Sequence, residues 1–393
     1  MADAKVLKEK VVKGIDELRP KSVAMAANIF DNPELGQQEQ KTKALLVKTL
    51  KEHGFKVQEG VGGFETAFRA EFPCHPGGPT VAFVAEYDAL PTLGHACHHH
   101  LIAAGSVYGA IALSRLGGEL PGSIVCIGTP AEETLEAKIV MVRGGAFQGV
   151  DAALMFHGGS RNNTRLVVLA VDGLEFSYQG KSAHAAAAPH EGINALDAVI
   201  MLFNSINALR QQLREDVRIH GNIVKGGDSL SSIPEHAVAR FLVRSRKRQY
   251  LNEVTEKVKN CARGAALQTG AELTITSLFE PGNDLLRNAP LVREYEDNFG
   301  ALGGVLDSEP FLLGSSDIGG LSYAVPAIHP MVQTADAGLA LHTEAFAKMG
   351  KSEIAFRGMV LGMKALCLTA LRLLLEPKFL GLVKSDFNES IHG

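Results

Sequence analysis

Apolar residues along this chain follow two periods, and the switch between them divides it. Near the start, Val11, Ile15, Leu18 and Val23 recur at helical spacing, which predicts a helix over about residues 4–30, broken by Asn32-Pro33. A second helix is predicted over about Gln38–His53 from Ala44, Leu45, Val47 and Leu50. Gly54 stops it and Phe55-Lys56-Val57 opens a strand. Three continuous apolar runs follow, at Thr80–Ala85, Ser123–Gly128 and Ala152–Phe156. Runs without polar alternation suit strands covered on both faces, as in a parallel sheet between layers of helix. From about Val171 the texture changes. The alternating stretch Leu174–Gly180 reads as a strand, followed by a helix over about Gly192–Leu213 and strands at His220–Lys225 and Ala237–Arg244. A helix at Leu251–Thr269 and a strand at Ala271–Thr276 complete that unit. The first texture then returns with a helix at Ala289–Phe299, a loop at Gly314–Gly320, a strand at Ala324–His329 and a glycine-rich loop carrying His342. The expected fold is α/β. Residues 1–171 and 285–393 form a domain with a mixed, mostly parallel sheet flanked by helices, and residues 172–284 form an inserted α+β domain of four strands and two helices.

Composition changes this picture little. At 393 residues two domains are the natural expectation, and 46% hydrophobic with 21% charged residues is ordinary for a globular protein. A net charge of −4 gives no reason to expect nucleic acid or an anionic membrane as partner. The apolar stretch Ile354–Leu375 is long enough to span a bilayer, but Arg357, Lys364 and Arg372 fall on one helical face, so a helix covering a core is expected. The N-terminal stretch has no apolar signal core, and five cysteines, an odd count, make no disulfide framework. A reducing, cytoplasmic setting is expected, with Cys97 available as a thiolate.

The reactive residues sit just past the apolar runs. Glu86, Asp88, His95, Cys97, His98, His99 and His100 follow the first, Glu132 and Glu133 the second, and His157 the third. Ligands of open parallel sheets gather at the carboxyl edge of the strands. Carboxylates, a thiol and imidazoles packed between Glu86 and His100 are a metal-site pattern. A solvated histidine-rich loop or a terminal tag would give similar composition, but this run lies between two apolar elements. The Glu132-Glu133 pair standing alone would read as a solvated turn and His157 as a core histidine. Three strand ends delivering such residues to one rim favours the metal reading. His190, His220, His236 and His329 read as loop or strand-end residues, and the Gly226-Gly227 pair as a turn.

Seven motifs in order extend the pattern: Pro33-Glu34-Leu35-Gly36, Glu86-Tyr87-Asp88-Ala89-Leu90-Pro91, Gly94-His95-Ala96-Cys97-x-His99, Pro130-Ala131-Glu132-Glu133, Gly180-x-Ser182-Ala183-His184-Ala185, Ile233-Pro234-Glu235 and Leu341-His342-Thr343. With them the chain resembles the co-catalytic metallopeptidases that include aminoacylases, auxin-conjugate amidohydrolases, aminobenzoyl-glutamate hydrolases and bacterial carboxypeptidases and dipeptidases. The resemblance implies a catalytic domain holding one or two divalent ions per subunit and an inserted lid domain that forms a homodimer. It implies Cys97, His99, Glu133, His157 and His342 as metal ligands, Glu132 as general base, Asp88 as a carboxylate orienting a ligand, and His184 as an oxyanion donor reaching the partner subunit's site. The implied reaction is hydrolysis of an amide bond in a small N-acyl amino acid or dipeptide-like substrate through metal-activated water. The same activated water on an aromatic or heterocyclic amine would make a deaminase. A non-catalytic metal- or ligand-binding homologue is the reading from another class, and Glu132 beside Glu133 argues against it. Thiolate and imidazoles suit zinc, and carboxylates admit manganese or cobalt.

Two positions depart from the family. After the cysteine, the family has Gly-His-Asn or Gly-His-Asp where this chain has His98-His99-His100, which makes His98 and His100 candidate additional ligands or pocket residues. Two residues before Ile233, where the family often places an asparagine that holds a substrate carboxylate, stands Ser231. Ser231 and Arg244 are the candidate substrate-binding residues. These departures imply a site retuned toward a smaller or unusual amide.

Overall fold

The three uninterrupted apolar runs become the buried centre of one sheet. The structure, a computed structural model, describes residues 4–134 and 137–392. The chain divides into two compact units, Met1–Val167 with Leu285–Gly393, and Val168–Asp284.

In the first unit a six-stranded sheet runs in the order Lys56–Glu59, Phe68–Pro73, Pro121–Thr129, His75–Glu86, Ala152–Leu154, Ala327–Ile328. The first two strands are antiparallel additions, and the other four run parallel. Glu86 pairs with Thr129 at the carboxyl ends, and Phe83 pairs with both Cys126 and Leu154. The chain therefore leaves the three central strands at one edge, which is where such sheets place their ligands. The expected strand Ala324–His329 is reduced to Ala327–Ile328. Pro326 and Pro330 flank it, and a proline has no N–H to donate to the ladder.

All sixteen residues of the His99–Ser114 helix are buried, as a helix apolar all round must be. It packs on the sheet and against the helices Ala4–Asp31 and Glu353–Leu375. Two glycines permit the close approach. A Cβ at Gly105 would lie 2.7 Å from the Phe156 ring, and one at Gly358 would lie 2.1 Å from the Gln333 carbonyl oxygen. The Glu353–Leu375 helix is apolar enough to cross a membrane by length and composition, but most of it is buried in this core. Its basic residues lie along the outer side: Lys364 pairs with Asp16 at 2.6 Å, Arg372 pairs with Glu376 at 2.9 Å, and Arg357 is exposed.

The second unit is an antiparallel sheet in the order Glu272–Ser277, Ala170–Gln179, His236–Ser245, Arg218–Lys225, with helices Ala195–Leu209 and Arg248–Thr269 packed on it. Leu174, Phe176 and Tyr178 alternate inward along the second of these strands. The first helix begins later than the apolar pattern implies because the Asn194 side chain accepts the Leu196 and Asp197 N–H groups and caps it. Gly270, at φ 77°, ends the other helix in the left-handed conformation that glycine adopts without strain.

Candidate metal centre

At the carboxyl edge of the first unit's sheet, residues from four separate segments converge. Donor atoms of Cys97, His99 and His157 lie within 4.8 Å of one another, and so do those of Cys97, Glu133 and His342. A third group joins His99 with Glu132 and Glu133. Cys97 Sγ lies 2.8 Å from His342 Nε2, which is 3.5 Å from Glu133 Oε2. Cys97, His99 and His157 are buried, whereas the His342 side chain is 52% exposed, so the cluster opens to solvent on that side.

Local hydrogen bonds set the tautomers. His99 Nδ1–H donates to the Asp88 backbone oxygen at 3.0 Å and to Asp88 Oδ1 at 3.1 Å, which turns the Nε2 lone pair toward the cluster. Asp88 Oδ2 accepts the Glu133 N–H at 3.0 Å, so this one carboxylate orients two of the predicted ligands. His157 Nδ1–H donates to the Gly158 carbonyl at 2.7 Å and likewise leaves Nε2 as the electron-pair donor. Burial works to lower the His99 imidazole, but Asp88 outweighs it and holds His99 well above its usual range. Burial, then Glu86 and Asp317, push the Glu132 carboxyl well above the usual carboxylate range.

Backbone strain gathers here too. His98, Ala131 and His342 are non-glycine residues at φ 59°, 57° and 60°. Each such residue costs on the order of 1–2 kcal/mol and persists only where its surroundings hold it.

These residues fit a divalent cation. His99 Nε2, Glu133 Oε1 and Glu86 Oε2 are buried with no protein partner, a state that costs ~1–3 kcal/mol per atom. They stand beside a thiol and a second imidazole in the combination that binds divalent metal.

The remaining predicted residues lie elsewhere. His98 and His100 point away from the cluster: His98 bonds Thr334 and the Phe346 carbonyl, and His100 bonds the Gly350 carbonyl, so neither ring joins the group of metal donors. The backbone between them turns back at left-handed His98, so His99 alone of the triplet faces inward. His184, Ser231 and Arg244 belong to the second unit. His184 is exposed, and its Nδ1 accepts N–H groups from Ala186 and Ala187 at 3.2 and 3.1 Å, leaving Nε2–H as a donor. Ser231 is exposed close by, its carbonyl accepting the Ala185 N–H at 2.9 Å. Arg244 is partly buried on its strand, opposite Arg218.

Sequence reasoning missed a second layer. Lys138, fully buried, bonds Glu86 and, at 2.6 Å, Asp317 Oδ1, while its backbone N–H reaches Asp317 Oδ2 at 3.0 Å. Donor atoms of Glu86, Glu132 and Asp317 form a further close group. Burial would raise Glu86, but Lys138 outweighs it and holds that carboxyl at about 2. His329 is a buried ring set edge-on to His157, with centroids 5.4 Å apart and both nitrogens without a protein partner. Glu39 is buried and accepts the N–H of Ala131, the strained residue before Glu132, at 2.9 Å. The sequence signal for Glu86 and Asp317 was their place at a strand end and in a glycine-rich loop; Lys138 and Glu39 gave none.

Comparison with known proteins adds the following. Residues 171–269 match the model of the peptidase dimerisation domain. The chain is 35% identical to the Xaa-Arg dipeptidase of Mus musculus, over 98% of this chain and 93% of that one. It is 28% identical to a p-aminobenzoyl-glutamate hydrolase of Escherichia coli (strain K12), over 92% and 91% of the two chains. Its fold is shared by the Bacillus subtilis YXEP protein, a dinuclear metal binding peptidase from the M20 family, with a TM-score of 0.74 at 20% identity over 91% of this chain and 99% of that one.

Proposed function

The chain belongs to the M20 family of metal-dependent peptidases and amidohydrolases, and from that premise we propose that it hydrolyses the amide bond of a dipeptide or a small N-acyl amino acid, with Glu132 as general base. The observation that carries the reading is the convergence of Cys97, His99, Glu133, His157 and His342, drawn from four segments of the chain, on two donor groups that share Cys97. We assign these five as the residues that hold one or two divalent ions. Zinc is the ion the thiolate and imidazoles favour, and the carboxylates also admit manganese or cobalt. A cation bound there supplies Lewis-acid chemistry, acidifying water and polarising a carbonyl.

The chain's own residues do the rest. Asp88 holds the His99 ring and the Glu133 backbone in place. Glu132, adjacent in sequence to a ligand but assigned no ligand role, takes the proton of the attacking water on its carboxylate. Water oxygen adds to the carbonyl carbon, the C–N bond breaks, and Glu132 returns the proton to the leaving nitrogen. His184 presents an Nε2–H donor, as an oxyanion stabiliser must, and we assign it that role in the site of a second copy, through a homodimer formed by the dimerisation domain. Ser231, beside His184, and Arg244 remain the proposed contacts to the substrate's polar end. The names of the relatives favour a dipeptide or an acylated amino acid such as a benzoyl-glutamate.

Metal quantitation coupled to a panel of dipeptides, N-acyl amino acids and aryl amines tests the proposal. The expected result is chelator-sensitive amine release from one of the first two classes. Release from aryl amines alone would make the protein a deaminase. Ligand-dependent stabilisation without turnover would make it a binding protein.

A further inference from the structure

The histidine triplet places two rings behind the centre, and both make the same kind of bond. His98 Nε2–H donates to the Phe346 carbonyl at 2.9 Å, so its Nδ1 is the acceptor for the Thr334 hydroxyl, also at 2.9 Å. The His98 ring lies stacked on Phe346, with centroids 4.1 Å apart. His100 Nε2–H donates to the Gly350 carbonyl at 2.8 Å and packs edge-on to Phe30 at 5.0 Å. Upstream, the His342 N–H donates to the Ala96 carbonyl at 3.1 Å. The stretch from 342 to 350 is thus tied to the stretch from 96 to 100 at residues 342, 346 and 350.

His342 needs such ties. It is half exposed, its backbone is left-handed, and it lies 245 residues from Cys97, whose sulfur it faces. A glycine at 98 would accept the left-handed turn without strain but would bond neither Thr334 nor Phe346. The strain of a left-handed histidine is offset by two buried hydrogen bonds and a ring stack.

We propose that His98 and His100 are positioning residues that lock the segment carrying His342 onto the turn carrying Cys97 and His99, so that the ligands on the two segments are held at one spacing before metal binds. The metal part of this inference rests on the ligand assignment above; the lock itself does not.

The test combines two measurements on wild type, H98G, H98Q, H100N and T334V. Hydrogen exchange of amides 343–351 is followed in the chelator-treated protein, and zinc affinity is measured by competition with a graded chelator. Exchange in that segment is expected to rise several-fold in H98G and H100N. Zinc affinity is expected to fall about 10–100-fold, the usual effect of removing a group that orients a ligand. H98Q, whose amide reaches the Phe346 carbonyl, restores both measures. T334V moves both in the same direction by less, and decides the matter if H98G does not fold. Unchanged exchange and unchanged zinc affinity in H98G and T334V would overturn the proposal, as would an H98Q protein as loose as H98G. Raised exchange in a protein whose wild type binds no zinc would uphold the lock and refute the ligand assignment instead.

Discussion

The two units treat their buried polar groups in opposite ways. In the inserted unit the buried polar residues are Asp172, Ser245, Thr255 and Asp284, and each has partners: Asp172 accepts from Arg248 and Thr255, Asp284 from Lys247 and Arg248, and Ser245 donates to Asp216. Among the described residues, every buried side-chain nitrogen or oxygen without a hydrogen-bond partner lies in the first unit, at Glu39, Thr66, Glu86, His95, His99, His100, Glu133, Tyr295, Ser315 and His329. A unit whose task is to fold and associate satisfies its polar groups internally. A unit that must hold a ligand keeps some uncommitted, at a cost in stability, and packs a large apolar core around them.

The sharpest way to break this comparison is at Glu132. Glu132→Gln keeps shape and removes the base, so kcat is expected to fall about 10²–10⁴-fold while thermal unfolding shifts little. Steady-state amine release and a melting curve check it, and a large loss of stability with activity spared would reverse the contrast. Lys138→Met comes next. It leaves Glu86 and Asp317 buried without their cation and is expected to cost ~3–5 kcal/mol in denaturant unfolding. A neutral result would show that the carboxylates simply take up protons.

Glu39 supplies a pH test. Burial pushes its carboxyl up to about 7 from 4.5. The unfolded chain therefore releases this proton first, and the stability linked to it, present below about pH 4.5, is lost as pH rises to about 7, by roughly 3 kcal/mol. Glu39→Gln in metal-free protein is expected to flatten unfolding free energy across that window relative to wild type; equal slopes would show that Glu39 ionises in place. The smallest effect is expected in the inserted unit. Arg240→Ala removes a surface pair with Glu175 at 2.7 Å and is expected to cost at most ~1 kcal/mol, with activity unchanged.

Much of this was legible in the chain because strand ends are local. An apolar run followed by Glu86, by Glu132-Glu133 or by His157 announces a sheet edge, and the parallel sheet brings those edges together. What was not legible depends on distant partners. His329 sits between a short strand and a proline, and only the fold reveals that its ring meets His157. Lys138 looks like any basic helix residue until Glu86 and Asp317, 52 and 179 residues away, close on it. His98 and His100 read as donors by type, yet helix geometry sends neighbours of an inward residue elsewhere.

The close contact at Gly105 ties catalysis to the deep interior. Its Cα presses on the Phe156 ring, and the residue after Phe156 is His157. A single added methyl in the middle of the central helix would push the chain bearing an imidazole donor. Damage to the interior of this protein would therefore register first as altered metal affinity, in molecules that still fold.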